Sequence, residues 1–344
     1  MGHASRCLRA TCGATKLLHD PANAGGIRRR SLAGPRPVRS TRGMHALREL
    51  RALVEHHVGP GRHATAERSE LGLKLVVIRQ PQTEVTHHVY ERVFGVVVHG
   101  EKRIELGDQH FRCGAGSFLI SAVGLPLAIQ VEHASREQPF VALAIRLQPT
   151  QVATLLLEAA AADRMPVEAA GMGVCQASGE LIEAVLRYVR LLDQPRDLAV
   201  LAPLVEREIL WRLLCSEQGH RLRQLGLADS RLSQIGRAMR WMCEHYRETL
   251  RIEHLARIAA MSVTSFHRHF RTVALMSPLQ YQKQIRLQQA RASLLAGVED
   301  IARVGHSVGY DSPSQFSREY KRAYGSPPRQ DVRATRRLLE GRRA

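Results

Sequence analysis

Arg268 and Arg318 occupy matching places in two near-copies of one short segment. A guanidinium can give two parallel hydrogen bonds to O6 and N7 of guanine, so an arginine held against a base edge reads sequence. The surrounding residues repeat the theme. Val263, Thr264, His267 and Arg271 share the outward face with Arg268, and Pro313, Ser314, Ser317 and Lys321 share it with Arg318. Val263 and Thr264 suit a thymine methyl, and His267 suits a base acceptor or a phosphate. Arg271, Lys321 and Arg322 suit phosphates, which add affinity without sequence information. A lone arginine on a helix reads as solvated surface. Its recurrence in two copies carries the reading toward DNA.

Such faces need helices anchored from behind. The first copy predicts a helix around Leu232–Tyr246, a second over Ile252–Ala260, a tight turn at Met261-Ser262, and a third to about Val273. Ser262 suits the N-cap of that third helix, its hydroxyl accepting a free backbone N–H. Ala256, Ala260 and Phe266 supply the small residue, the small turn residue and the large apolar lock that a helix-turn-helix requires. The second copy predicts a helix over Asp300–Val308, a turn at Gly309, and a helix from Ser312-Pro313 to about Tyr324. Phe316 and Tyr320 match Phe266 and Phe270 as its buried side. Ser277-Pro278 opens a connecting helix with Tyr281, Ile285, Leu287, Ala290 and Leu294 apolar. Two recognition helices on one face would enter successive major grooves, about 34 Å apart.

The charge distribution agrees. The 344 residues carry a formal net charge of +18. Residues 1–43 contribute +8 and residues 231–344 contribute +12, while the middle stands at −2. A polyanion therefore meets the C-terminal part.

Other chemistries are poorly served. Cys7, Cys12, Cys113, Cys175, Cys215 and Cys243 are scattered without a C-x-x-C pair, which fits idle thiols in a reducing cytoplasm rather than a zinc or redox site. His87-His88, His99, His110 and His133 lack metal-ligand spacing, and adjacent strand residues face opposite ways, so no metal or other cofactor is expected. No phosphate loop, dinucleotide loop or Gly-x-Ser-x-Gly appears, so no enzyme is expected. There is no apolar run of membrane-spanning length and no apolar signal core.

Residues 1–43 form a basic, aperiodic leader. It reads either as a transit-type segment or as an over-extended start ahead of Met44, where a helical pattern (Leu47, Leu50, Leu53, Val54) begins; the second reading is preferred. Strands are predicted over Leu73–Ile78, Val93–Val98, Arg103–Leu106, Phe118–Ile120, Leu125–Val131 and Phe140–Ile145, with glycine turns between them. This spacing describes a small barrel or jelly roll. Such a barrel offers an apolar pocket for a small effector; Val96, Val98, Ile104, Leu106, Phe111 and Phe118 are the candidates to line it, and plain core is the preferred reading of all six. Helices follow from Val152, over Leu181–Leu192, and over Leu201–Leu214 with Leu204, Ile209, Leu210, Leu213 and Leu214 as its apolar set. They form either a dimer interface or a cap on the β domain.

Residues 231–330 resemble the DNA-binding domain of the AraC/XylS family of transcription regulators. The resemblance lies in "IEHLARIAAMSVTSFHRHFRTV", "SPLQYQKQIRLQQARASLL" and "IARVGHSVGYDSPSQFSREYKRAYGSPP". Upstream, "VFGVVVHGEKRIELGDQHFRCGAGSFLISAVGLPLAIQV" and "VLAPLVEREILWRLL" resemble the cupin-like N-terminal domain and connecting helices of one subgroup. Gly305 departs from the family's usual alanine, at a helix-propensity cost of ~1 kcal/mol. The expected α+β architecture has five parts: the leader at 1–43, a cupin-like effector domain at 44–179, and connecting helices at 180–228. An all-α domain of two helix-turn-helix units follows at 229–330, then a basic tail at 331–344. The resemblance implies a cytoplasmic, nucleoid-associated regulator, an activator in keeping with the family. Its expected partners are double-stranded DNA, RNA polymerase, an unidentified small effector and a second copy of the chain. The rival reading is an architectural, effector-independent DNA-binding protein.

Overall fold

The computed structural model describes residues 41–82, 85–159, 170–298 and 300–340. Among these described residues, ten strands build two antiparallel sheets. They are β1 (His63–Arg68), β2 (Leu73–Ile78), β3 (Thr86–Tyr90), β4 (Val93–His99), β5 (Glu101–Leu106), β6 (Gln109–Gly114), β7 (Ser117–Ser121), β8 (Leu125–Gln130), β9 (Phe140–Arg146) and β10 (Met172–Gln176). One sheet has the order β1-β2-β9-β4-β7-β10 and the other β3-β8-β5-β6. Alternation sets the two faces. Leu73, Leu75 and Val77 of β2 are fully buried, while Lys74, Val76 and Ile78 line a cavity.

All six strands expected from apolar runs are present. The four that were not expected, β1, β3, β6 and β10, are the four sheet edges. An edge strand pairs on one side only and tolerates polar residues, as in HATAER and THHVY, so it shows no apolar run.

Helix α1 (Thr41–Val58) lies across β1, β2, β4 and β9, and α3 (Gly179–Arg190) packs on α1. The helical pattern read after Met44 therefore begins three residues earlier, at Thr41; residues 1–40 of the leader lie outside the described residues. Helices α2 (Pro149–Glu158), α4 (Pro195–Leu214) and α5 (Gly219–Gly226) complete the upstream part. Leu204 was expected in the buried set of α4, yet it is 61% exposed. The helix has two apolar faces. Ala202, Ile209, Leu210, Leu213 and Leu214 face inward, whereas Val200, Leu201, Leu204 and Trp211 face out. Helical periodicity alone does not separate two such stripes.

Seven helices follow: α6 (Arg231–Glu244), α7 (Ile252–Ile258), α8 (Val263–Ala274), α9 (Pro278–Leu295), α10 (Ile301–Ser307), α11 (Pro313–Tyr324) and α12 (Pro328–Glu340). Residues 331–340, read from sequence as basic tail, belong to α12. Arg291 of α9 pairs in bidentate fashion with Asp331 at 2.8 and 2.9 Å, and the Tyr320 hydroxyl donates to the same carboxylate at 2.7 Å. The final helix thus seals the second unit.

All described residues lie within one unit, Pro35–Ala344, and its core is not divided where the sequence suggested. One apolar cluster runs from Ala46 to Ile285 and includes Phe266, Phe270 and Tyr281. A separate one, from Leu287 to Val332, belongs to the second helix-turn-helix. The first unit is thus fused to the β domain. The Tyr281 hydroxyl donates to Gly124 O at 2.8 Å, and Gly171 N–H donates to Val273 O at 2.8 Å, capping the end of α8. A Cβ at Gly107 would stand 2.7 Å from Leu275 O, so the β5–β6 turn abuts the same helix end.

The second unit touches the β domain through His87, whose ring meets Tyr324 edge-on at 4.8 Å. Burial, then the charges of Arg291 and His88, push the His87 pKa down to about 4, against a raising influence from Asp331. As pH falls below about 6.5, the unfolded chain binds a proton that folded His87 refuses. Stability present above that pH is therefore lost toward pH 4. Between pH 7 and 5 this loss amounts to about 2 kcal/mol for this group. His87→Phe is expected to remove that share of the pH dependence, measured by denaturant melts of both proteins across the range.

Candidate nucleic-acid interface

Both recognition helices are built in one way. Ser262 caps α8 by accepting from Ser265 N at 3.3 Å, and Ser312 caps α11 by accepting from Gln315 N at 3.3 Å. The preceding turns each need one left-handed residue, supplied by Ala260 (φ 52°) and Gly309 (φ 96°). Phe266 and Phe270 are fully buried behind α8, and Phe316 and Tyr320 behind α11. Each contributes roughly 1.5–3 kcal/mol by leaving water. A Cβ at Gly305 would stand 3.1–3.4 Å from three atoms of the Phe316 side chain. Glycine there admits the ring closely, which accounts for the departure noted at this position.

The outward residues correspond at a constant offset: Val263 with Pro313, Thr264 with Ser314, His267 with Ser317, Arg268 with Arg318, and Arg271 with Lys321. All are exposed except Ser317, which is half-buried. Among the described residues no carboxylate pairs with Arg268, Arg271, Arg318 or Lys321. The Arg268 guanidinium instead lies 3.3 Å from His269 Nε2. His269 is itself buried, a role its spacing did not reveal.

Sequence reasoning also missed Arg286, on the connecting helix α9. Its guanidinium donates to Tyr246 O (2.6 Å), Arg247 O (3.1 Å), Glu248 O (2.9 Å) and Gly309 O (2.7 Å). Gln282 reinforces it, donating to Tyr246 O and Glu248 O. The loop after α6 and the turn of the second unit are thereby tied to one side chain. A Cβ at Gly309 would stand 2.5 Å from Arg247 O, so the turn glycine is required twice over.

A second site is a cavity of about 420 Å³ in the β domain, between the two sheets. Val96, Val98, Ile104, Leu106 and Phe118 are buried core rather than its lining. The walls come from the alternate faces of β2, β3 and β9. His88 lines it while His87 faces Tyr324, as adjacent strand residues must. Among the described residues no group of three His, Cys, Asp or Glu side chains is placed to hold a metal ion. No described helix is long and apolar enough to cross a membrane.

A β domain with an internal cavity is thus joined to twin anchored helices of the helix-turn-helix kind. Comparison with known proteins agrees. Residues 71–221 match the profile described as "AraC-type transcriptional regulator N-terminus", and residues 255–334 match one described as "Helix-turn-helix domain". Residues 71–221 therefore belong to the AraC-type regulator N-terminus family and residues 255–334 to a helix-turn-helix family. It is 25% identical over 155 residues to the HTH-type transcriptional activator RhaS of Mannheimia succiniciproducens, covering 44% of this chain and 54% of that protein. It is 29% identical over 155 residues to the virulence regulon transcriptional activator VirF of Yersinia enterocolitica, covering 44% and 55%. The matched region thus spans about half the length of these relatives. Among solved structures, ToxT from Vibrio cholerae aligns with a TM-score of 0.48 at 10% identity, over 76% of this chain and 94% of that one.

Arg286→Met is expected to cost about 2–3 kcal/mol, since four carbonyls lose a charged donor. It should also loosen one unit relative to the other. Thermal melting reads the first effect, and shortening of a two-part DNA footprint to one part reads the second.

Proposed function

We propose that the chain is a sequence-specific transcription regulator, with no enzymatic activity, whose two recognition helices read a promoter together. The observation that carries this is the matched pair of helices, anchored by Phe266/Phe270 and Phe316/Tyr320 and presenting Arg268 and Arg318 at equivalent exposed places. Arg268 and Arg318 contact base edges. Val263, Thr264, His267, Pro313, Ser314 and Ser317 shape the readout around them, and Arg271 and Lys321 hold phosphates. RNA polymerase is the second macromolecular partner. A small effector in the β cavity sets the activity, relayed through the core that this domain shares with the first helix-turn-helix. The outer stripe of α4, Val200, Leu201, Leu204 and Trp211, is where a second copy docks. The domain partition follows: effector sensing at 44–179, connection at 180–228, and DNA reading from 229 onward.

Genomic footprinting tests the whole reading. Protection confined to a few promoters supports a regulator, and coating in proportion to DNA length supports an architectural protein instead. Arg318→Ala is expected to weaken operator binding by about 1–3 kcal/mol and to relax preference at one base pair. Lys321→Ala should weaken all sequences alike and reduce the slope of log K against log salt by about one. An Arg318→Ala protein with unchanged affinity and footprint would remove the base-reading assignment.

A further inference from the structure

Strand β5 places Lys102, Ile104 and Leu106 on its inward face. Two of these are ordinary core residues, whereas Lys102 puts an ammonium in the same register. It is only 7% exposed, and its cross-strand neighbour Cys113 is fully buried. The Nζ atom lies 5.8 Å from the Tyr90 ring, and among the described residues no carboxylate pairs with it. A buried cation without an anionic partner is costly and is seldom kept without a use.

Lys102 and Tyr90 both line the β cavity. Gly95, Ala142 and Ala144 keep that cavity open, and Val76, Ile129 and Val131 give it apolar walls. Arg92 borders the same space, and its buried Nε has no hydrogen-bond partner. Lys74 and Arg146 line it too, so four cationic side chains border one partly apolar chamber. The acids lining it, Glu67 and Glu91, form no ion pair with Lys102 or Arg92.

We propose that this cavity takes a small organic anion, with its carboxylate on Lys102 and its apolar body along Val76 and Ile129. This rests on the reading of the β domain as a sensor and names the chemistry of what it senses. Arg92 also lines a neighbouring cleft of about 790 Å³ together with Glu91 and with Arg237, Arg240 and Glu244 of α6; Arg240 repels its guanidinium and Glu91 attracts it less strongly. An anion that draws the Arg92 guanidinium inward relieves like charge at the seam with the first helix-turn-helix. Occupancy is thereby coupled to the arrangement of the DNA-reading half.

The test uses the full chain and two matched panels. Benzoate, phenylacetate and hexanoate are set against benzamide, phenylacetamide and hexanamide. Thermal stabilisation and affinity for the footprinted DNA are read for each. At least one carboxylate is expected to stabilise the protein in a saturable way and to shift its DNA affinity, while its amide does neither. Lys102→Met should fold normally, by far-ultraviolet dichroism, and lose about tenfold or more in carboxylate affinity. Ala142→Phe, which fills the chamber but keeps Lys102, should abolish the response. The proposal is overturned if amides act as strongly as carboxylates, if Lys102→Met binds carboxylates unchanged, or if Ala142→Phe still responds. Amides that bind and shift DNA affinity would leave the sensing role intact with a neutral effector. Silence from both panels in stability and in DNA binding would count against sensing as well as against the anion.

Discussion

The geometry of the DNA-reading half depends on one guanidinium. Arg286 gathers four carbonyl oxygens that no regular secondary structure satisfies, three from the loop after α6 and one from the second unit's turn. Backbone acceptors withdrawn from water demand donors. Here the demand is met by a side chain on the helix that joins the two units, so satisfying the loop also fixes the angle between the heads. Arg291, one and a half turns further along α9, repeats the device with Asp331 and the Tyr320 hydroxyl. The connecting helix is therefore more than a spacer. Its polar side chains set the orientation that its apolar ones only permit.

The two heads differ in what supports them. The first draws on the same apolar cluster as the β domain, through Phe270, Val273 and Tyr281. The second has its own small core around Phe316 and Tyr320, closed by α12. A change in the β domain therefore reaches the first head through direct packing. The second receives it through α9, apart from the lateral contact at His87 and Tyr324.

Much of this was legible in the residues. Caps at Ser262, Ser277 and Ser312, the small residues at the turns and the aromatic anchors each have one local physical meaning, and the helices form where those meanings place them. Most inner strands were legible for a related reason: burial on both faces leaves near-continuous apolar runs, as in β4, β7 and β9, whereas β5 showed itself by alternation. The edges were not, because a strand paired on one side obeys no such rule. Leu204 escaped because α4 bears two apolar stripes and only three-dimensional context tells them apart. Arg286 and Lys102 escaped for a shared reason. Arginine and lysine read by default as solvated charge, and nothing in their immediate neighbours announces that the chain folds over them. Gly305 looked like a lapse from pattern until the Phe316 ring was found against its Cα.

Tyr281 carries a consequence for how such regulators can be recombined. Its ring is sealed in the shared core, and its hydroxyl relies on a carbonyl, Gly124 O, contributed by the β domain. A DNA-binding half severed here and spliced to an unrelated sensory module would carry a phenol in need of an acceptor and an apolar flank in need of cover. An incoming module that presents a peptide oxygen at that point restores the bond, and one that does not leaves the hydroxyl beside Cys243 Sγ at 3.3 Å, a weaker acceptor, so compatibility between halves depends on polar matching as well as on the area of the graft.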